Sequence, residues 1–160
     1  MLRIMEYNRK EVLQYANQWA LKRNPHYLDF TLYGGDCTNF TSQCIYAGSK
    51  IMNYTPIVGW YYNSSYDRSA SWTGVQYFYD FLTGNKSIGP FGVETSLGNI
   101  QPGDIVQLYG RNQYYHSLVI VNIQREGVFV AAHSNDAYMR SLDTYVYEKE
   151  RFIHIQGIRK

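Results

Sequence analysis

Cys37 is the residue in this chain whose neighbours are best arranged for nucleophilic chemistry. Gly34-Gly35-Asp36 leads into it, and Thr38-Asn39-Phe40-Thr41-Ser42-Gln43-Cys44 comes after it. Apolar or small residues at Cys37, Phe40, Cys44 and Ala47 recur at helical spacing, which predicts a helix over about 37–48 with Gly48 as its C-cap. A thiol at a helix N-terminus meets the positive end of the macrodipole, which favours the reactive thiolate. The glycines permit an unusual backbone path and leave room for a substrate chain. Cys44 falls inside the apolar stripe and reads as packing. Seven residues apart on one helix, the two cysteines cannot form a disulfide, and their spacing is wider than that of paired zinc ligands.

A cysteine nucleophile needs a base within reach, and the base needs a third group to orient it. Four histidines are available. His26, beside Pro25, reads as a surface loop residue, and His154, between Ile153 and Ile155, reads as structural. His116 opens an apolar strand directly after a polar loop, which puts it at the rim of a sheet. His133 ends the next strand and is followed by Ser134-Asn135-Asp136. In an antiparallel hairpin the start of one strand lies beside the end of its partner, so His133 or Asn135 should neighbour His116 and could fix its ring.

The elements that must position these groups are read from periodicity. Asn8, with Glu11 three residues on, resembles a capping box; Val12, Tyr15, Ala16, Trp19 and Ala20 then form a stripe, predicting a helix over about 9–23 that Asn24-Pro25 ends. Residues 52–70, centred on Val58-Gly59-Trp60-Tyr61-Tyr62, read as a long surface loop of the length kept for binding. Trp72, Val75, Tyr79 and Leu82 predict a third helix over about 71–83, stopped at Gly84-Asn85. Gly89-Pro90 and Gly92 are expected to break any regular element between that helix and residue 100. Strands are expected at 105–109, 116–123, 128–133 and 151–158, with a polar loop over 110–115. Helices first and an antiparallel sheet second make this α+β, with the N-terminal helices packed on the C-terminal sheet.

With 160 residues the chain fits one domain, 1–160. A net charge of +2 gives no pull toward nucleic acid or anionic lipid. The aromatic load is heavy, with 17 tyrosines, 7 phenylalanines and 3 tryptophans, and suits a groove for peptide or sugar. Trp60, Tyr61, Tyr62 and Trp72 are candidates to wall it, although Trp72 reads better as packing. The N-terminus lacks the apolar core of a signal peptide, and no stretch suits a membrane span. The expectation is a monomer with no nucleic-acid or membrane partner. It is extracellular or wall-associated if cut from a secreted parent, and otherwise cytoplasmic.

Gly35-Asp36-Cys37-Thr38-Asn39-Phe40, then Ile100-Gln101-Pro102-Gly103-Asp104-Ile105-Val106, then His116 resemble the papain-like cell-wall cysteine hydrolases, including the CHAP and NlpC-type families. The longer run Gly34 to Cys44, together with Gly59-Trp60-Tyr61-Tyr62, His116-Ser117 and Ala132-His133-Ser134, is similar to the bacterial "putative amidase domain" family of that superfamily. The resemblance covers nearly the whole chain. It implies Cys37 as nucleophile, His116 as base, and the Cys37 backbone N–H as an oxyanion donor, with no metal or organic cofactor. It implies a third polar group after the base, at His133 by the NlpC pattern or at Asn135 by the CHAP pattern, with His133 preferred. Tyr27 resembles an upstream tyrosine at the oxyanion site, and Gly35, Asp36, Trp60 and Tyr61 would contact substrate. The implied reaction is amide hydrolysis through a thioester, on peptidoglycan or a related peptide. Two alternatives are acyl transfer or small-peptide amidase activity with the same residues, and a non-catalytic glycan-binding module built on the aromatics.

Overall fold

In the computed structural model, which describes residues 1–160, a short strand β1 (Ile4–Met5) precedes helix α1 (Arg9–Trp19). The Asn8 side chain accepts from the Glu11 N–H at 3.1 Å, so the expected N-cap forms. The helix stops at Trp19, short of 23. Its last carbonyl is taken by the Lys22 N–H at 3.3 Å and by His133 Nε2 at 2.9 Å. Helix α2 (Cys37–Ser49) starts where the spacing predicts, but Gly48 is inside it and the left-handed cap is Lys50, φ 57°. Gly48 serves the crossing of α1 and α2 instead. A Cβ there would lie 2.5 Å from Val12 Cγ2 and 2.8 Å from the Asn8 carbonyl.

The segment expected to be a surface loop is partly core. Trp60 is fully buried against Trp72 and Phe81, with ring centroids at 4.8 and 5.8 Å, and its indole N–H donates to Ser42 Oγ at 3.1 Å. Next in the chain is a small hairpin of β2 (Tyr62–Ser64) and β3 (Asp67–Arg68). The predicted third helix is two, α3 (Ala70–Thr73) and α4 (Val75–Gly84), because Gly74 is extended, with φ −107° and ψ 126°.

The remaining strands form one antiparallel sheet with β1: β4 (Gly89–Thr95), β5 (Ile105–Gly110), β6 (Gln113–Gln124), β7 (Gly127–Ala132), β8 (Ala137–Ser141) and β9 (Lys149–Arg159). The order runs β1-β9-β5-β6-β7-β8, with β4 also on β9. β4 occupies the stretch that its glycines and proline were expected to break. It pairs only with β9, an arrangement in which Pro90 is tolerated, and it shifts register between Phe91 and Gly92. A Cβ on Gly92 would meet the His154 carbonyl at 2.5 Å. The supposed loop at 110–115 is a tight turn whose central residues, Arg111 and Asn112, have φ of 53° and 67°, the signs of a type I′ hairpin. β6 therefore begins three residues before His116, which pairs with Leu108 inside the ladder rather than opening the strand.

Strand alternation sorts the apolar residues into two clusters. Ile105, Val119, Val121, Ala131, Ile153 and Ile155 join residues of α1, α2 and α4 in the larger one. Their neighbours Val106, Leu108, Leu118, Ile120, Val130 and Phe152 join Leu142, with Tyr145 and Tyr147 packed against them. No helix is long and apolar enough to cross a membrane.

Candidate active site

Two glycines with positive φ, Gly34 at 98° and Gly35 at 104°, turn the chain into α2 and deliver Cys37 to its first position. Asp36 occupies the N-cap but makes no capping bond. Its carboxylate turns inward instead: Oδ1 accepts from the Phe30 N–H and Asn39 Nδ2, both at 2.8 Å, and Oδ2 meets His133 Nδ1. The start of α2 thus keeps its first N–H groups free of the side-chain acceptor that a capping aspartate usually supplies. The Asp36 N–H itself donates to Ser134 Oγ at 3.0 Å, tying the cysteine turn to the segment after β7. Arg23 braces both sides through Asp136, at 2.7 Å, and Asp29, at 3.2 Å.

Beneath the cysteine a buried polar chain anchors α2 to the sheet. Thr38 Oγ1 lies 3.0 Å from Ser117 Oγ, which accepts from Gln107 Nε2 at 3.0 Å, and Gln107 Oε1 accepts from Arg151 Nε at 2.8 Å. The Arg151 guanidinium is sandwiched between Tyr79 and Tyr114 at 3.6 and 3.7 Å from the ring centres. This network places Ser117, and therefore its neighbour His116, against the start of α2.

Cys37 and His116, each 8% exposed, line one cavity of about 420 Å³. Gly34, Gly35, Ser134 and Asn135 form one wall, and Tyr115, Arg140 and Tyr145 another. Burial pushes the Cys37 thiol above its ordinary pKa. The Ser117 backbone N–H and the hydroxyl and N–H of Thr38 offset part of that rise. Burial thus opposes the thiolate that a helix N-terminus favours. His116 is pushed the other way, down to about 4, by burial and by the positive charge of Arg140. At neutral pH the pair rests as thiol and uncharged imidazole. No hydrogen bond joins them in this state. Neither His116 nitrogen has a protein partner, and neither is sealed from the cavity. Along β6, His116 falls on the same face as Leu118, while Ser117 faces Thr38.

His133 does not join them. Its Nδ1 meets Asp36, its Nε2 meets the Trp19 carbonyl at 2.9 Å, and its ring stacks on Phe40 at 4.1 Å. With both ring nitrogens occupied, it has none for His116 and is a strut between α1 and α2. Asn135, with φ 65°, does line the cavity. Gly35 lines it also, whereas Asp36 is fully buried behind it. Tyr27 lies against Tyr62 and Trp72, with centroids at 5.0 and 6.0 Å, and lines neither the thiol cavity nor its neighbour. Trp60 is core, and Tyr61 packs on Tyr54 at 5.3 Å, so these aromatics do not wall the site either. The aromatic wall comes from Tyr115 and Tyr145, whose rings lie 6.1 and 5.9 Å from His116. Sequence reasoning passed over both, and over Arg140. Only the tyrosines adjoining His116 in the chain hinted at such a wall. Cys44 is fully buried, as its place in the stripe requires. His154 Nδ1 bonds the buried Asp104 at 2.8 Å, away from the cavity. No cluster of three or more His, Cys, Asp or Glu side chains is arranged to hold a metal ion.

Residues 6–156 match the family described as "Putative amidase domain", and the chain belongs to that family. It is also 32% identical over 145 residues to "Uncharacterized protein YhbB" of Bacillus subtilis strain 168, an alignment covering 86% of this chain and 45% of that protein. The chain thus spans about half the length of this relative. No solved structure matches it.

Proposed function

We propose that this chain is a cysteine-dependent amide hydrolase of papain-like architecture whose substrate is bacterial cell-wall peptidoglycan. The observation that carries the reading is the opening of Cys37, first residue of α2, and His116, inside β6, into one cavity. Membership of an amidase-domain family supports the bond type. In the reaction the Cys37 sulfur attacks the amide carbonyl while its proton passes to His116, whose low basicity in its buried setting returns that proton readily to the leaving amine. Water then attacks the thioester, releasing the acid and regenerating the thiol. The Cys37 N–H, at the positive end of α2, faces the developing oxyanion. Asn135 is the remaining polar candidate to orient the imidazole. The shape supports a polymeric substrate, because a second cavity of about 530 Å³ shares Tyr115 and Val146 with the first and continues along Tyr147.

Purified peptidoglycan digested by the wild type, Cys37→Ala and His116→Ala, with products identified by mass spectrometry, tests the reading. New muropeptides from the wild type alone are expected. Release that persists in Cys37→Ala would remove the thioester route.

A further inference from the structure

Arg140 supplies the one formal charge in the wall of the thiol cavity, which contains no aspartate or glutamate. Its guanidinium lies 3.8 Å above the centre of the Tyr145 ring, and it donates from Nε to Thr144 Oγ1 at 2.8 Å and from Nη2 to the Thr144 carbonyl at 3.0 Å. No carboxylate lies within 4.0 Å of it, in contrast to Arg9 and Arg23, both of which are paired with acids. These contacts fix the fork in place yet leave Nη1 and part of Nη2 without an acceptor. Beside it the Tyr145 hydroxyl is sealed from the cavity and feels the Arg140 guanidinium, so the ring serves as the platform that holds the fork. An unneutralised, immobilised guanidinium facing a cavity without acids has the chemistry to bind an anion.

We propose that Arg140, held over the Tyr145 ring, forms a carboxylate-binding subsite beside Cys37, so that the preferred substrate carries a free carboxylate close to the scissile amide. This rests on the reading of the cavity as the site of amide hydrolysis. The guanidinium fork donates two parallel hydrogen bonds to the carboxylate. A peptide in which this carboxylate is amidated loses the charge that the subsite reads.

The test uses two small alkylating reagents that differ in the same way, iodoacetate and iodoacetamide, with modification of Cys37 followed by peptide mass mapping at low ionic strength. The iodoacetate-to-iodoacetamide rate ratio of the wild type should exceed that of Arg140→Gln by about tenfold, the scale of one charge-assisted hydrogen bond. It should fall toward the variant's value in high salt. Arg140→Lys, which keeps the charge without the fork, should retain an intermediate ratio, and Tyr145→Ala, which removes the ring that holds the fork, should lose several-fold. Equal ratios in the wild type and Arg140→Gln overturn the subsite. A ratio that falls as expected in a protein that hydrolyses no amide keeps the subsite and removes the hydrolase reading. Because the resting thiol is protonated, the rates are compared in alkaline buffer, where thiolate forms, and a Cys37 still inert there to both reagents removes both.

Discussion

Replacing His133 with alanine should unfold the protein more readily rather than disarm its chemistry. His133 and Asp36 are each 1% exposed at the side chain. Removing the imidazole leaves the Asp36 carboxylate with Arg23 Nε at 3.6 Å as its nearest cation, and leaves the Trp19 carbonyl with only the longer bond from the Lys22 N–H at 3.3 Å. Breaking one side of a buried pair costs about 3–5 kcal/mol. The ring's stack on Phe40 at 4.1 Å is lost as well, so the upper part of that range is expected. For a chain of this size such a loss lowers the melting temperature by about 10 °C or more. His133→Asn should recover part of it, since an amide N–H can replace Nδ1 against Asp36 but cannot also reach Trp19. The assay is urea denaturation of both variants beside their rate of peptidoglycan cleavage under folding conditions. An unchanged midpoint with cleavage lost by about a hundredfold or more, the scale of a missing general acid–base group, would return His133 to the role of His116's partner.

The remaining predictions concern titration and packing. Because the unfolded chain protonates His116 near pH 6.5 and the folded chain only near 4, acid should favour unfolding across that interval, by about 3 kcal/mol in total, and the effect should vanish in His116→Gln measured by denaturation at stepped pH. For the same reason the acid limb of kcat/KM should lie near about pH 4–5, with a plateau through neutrality; a limb near 6.5 would contradict a buried, Arg140-facing imidazole. Trp60→Ala should cost about 3–5 kcal/mol, whereas Tyr61→Ala should stay under about 1 kcal/mol, as read from paired unfolding curves. Gly48→Ala should cost about 1–3 kcal/mol, because its Cβ would collide with Val12 and the Asn8 carbonyl; a neutral result would mean that α1 and α2 separate without penalty.

The start of α2, the Asn8 cap, the α+β order and the hairpin of β6 and β7 were legible because each is written in local signals: a capping side chain, a helical period, two apolar runs about a turn. Tertiary contacts decided the rest. Gly48 carries the sequence signal of a helix stop, yet it is required by a neighbouring helix. The run Val58 to Tyr62 has loop composition, yet Trp60 finds Ser42, Trp72 and Phe81. Pairing order put His133 beside His116, but the chain turns away after Ala132 and the imidazole is captured by Asp36. Arg140 and Tyr145 come from β8 and the turn after it, elements with no periodic signal, and only the folded sheet brings them to the thiol. Likewise, a cysteine at a helix start announces a lowered pKa, and only burial reveals that the thiol is protonated at rest.

Turnover by the proposed route passes through a covalent acyl bond between Cys37 and the carbonyl it attacks. Acid-quenching the wild type during turnover of soluble peptidoglycan fragments, then mapping the peptide that contains Cys37 by mass spectrometry, tests this directly. A hydroxylamine-labile acyl adduct on Cys37 and no turnover in Cys37→Ala are expected. Fragment cleavage by Cys37→Ala at the wild-type rate, with no adduct on the wild-type cysteine, would contradict that route.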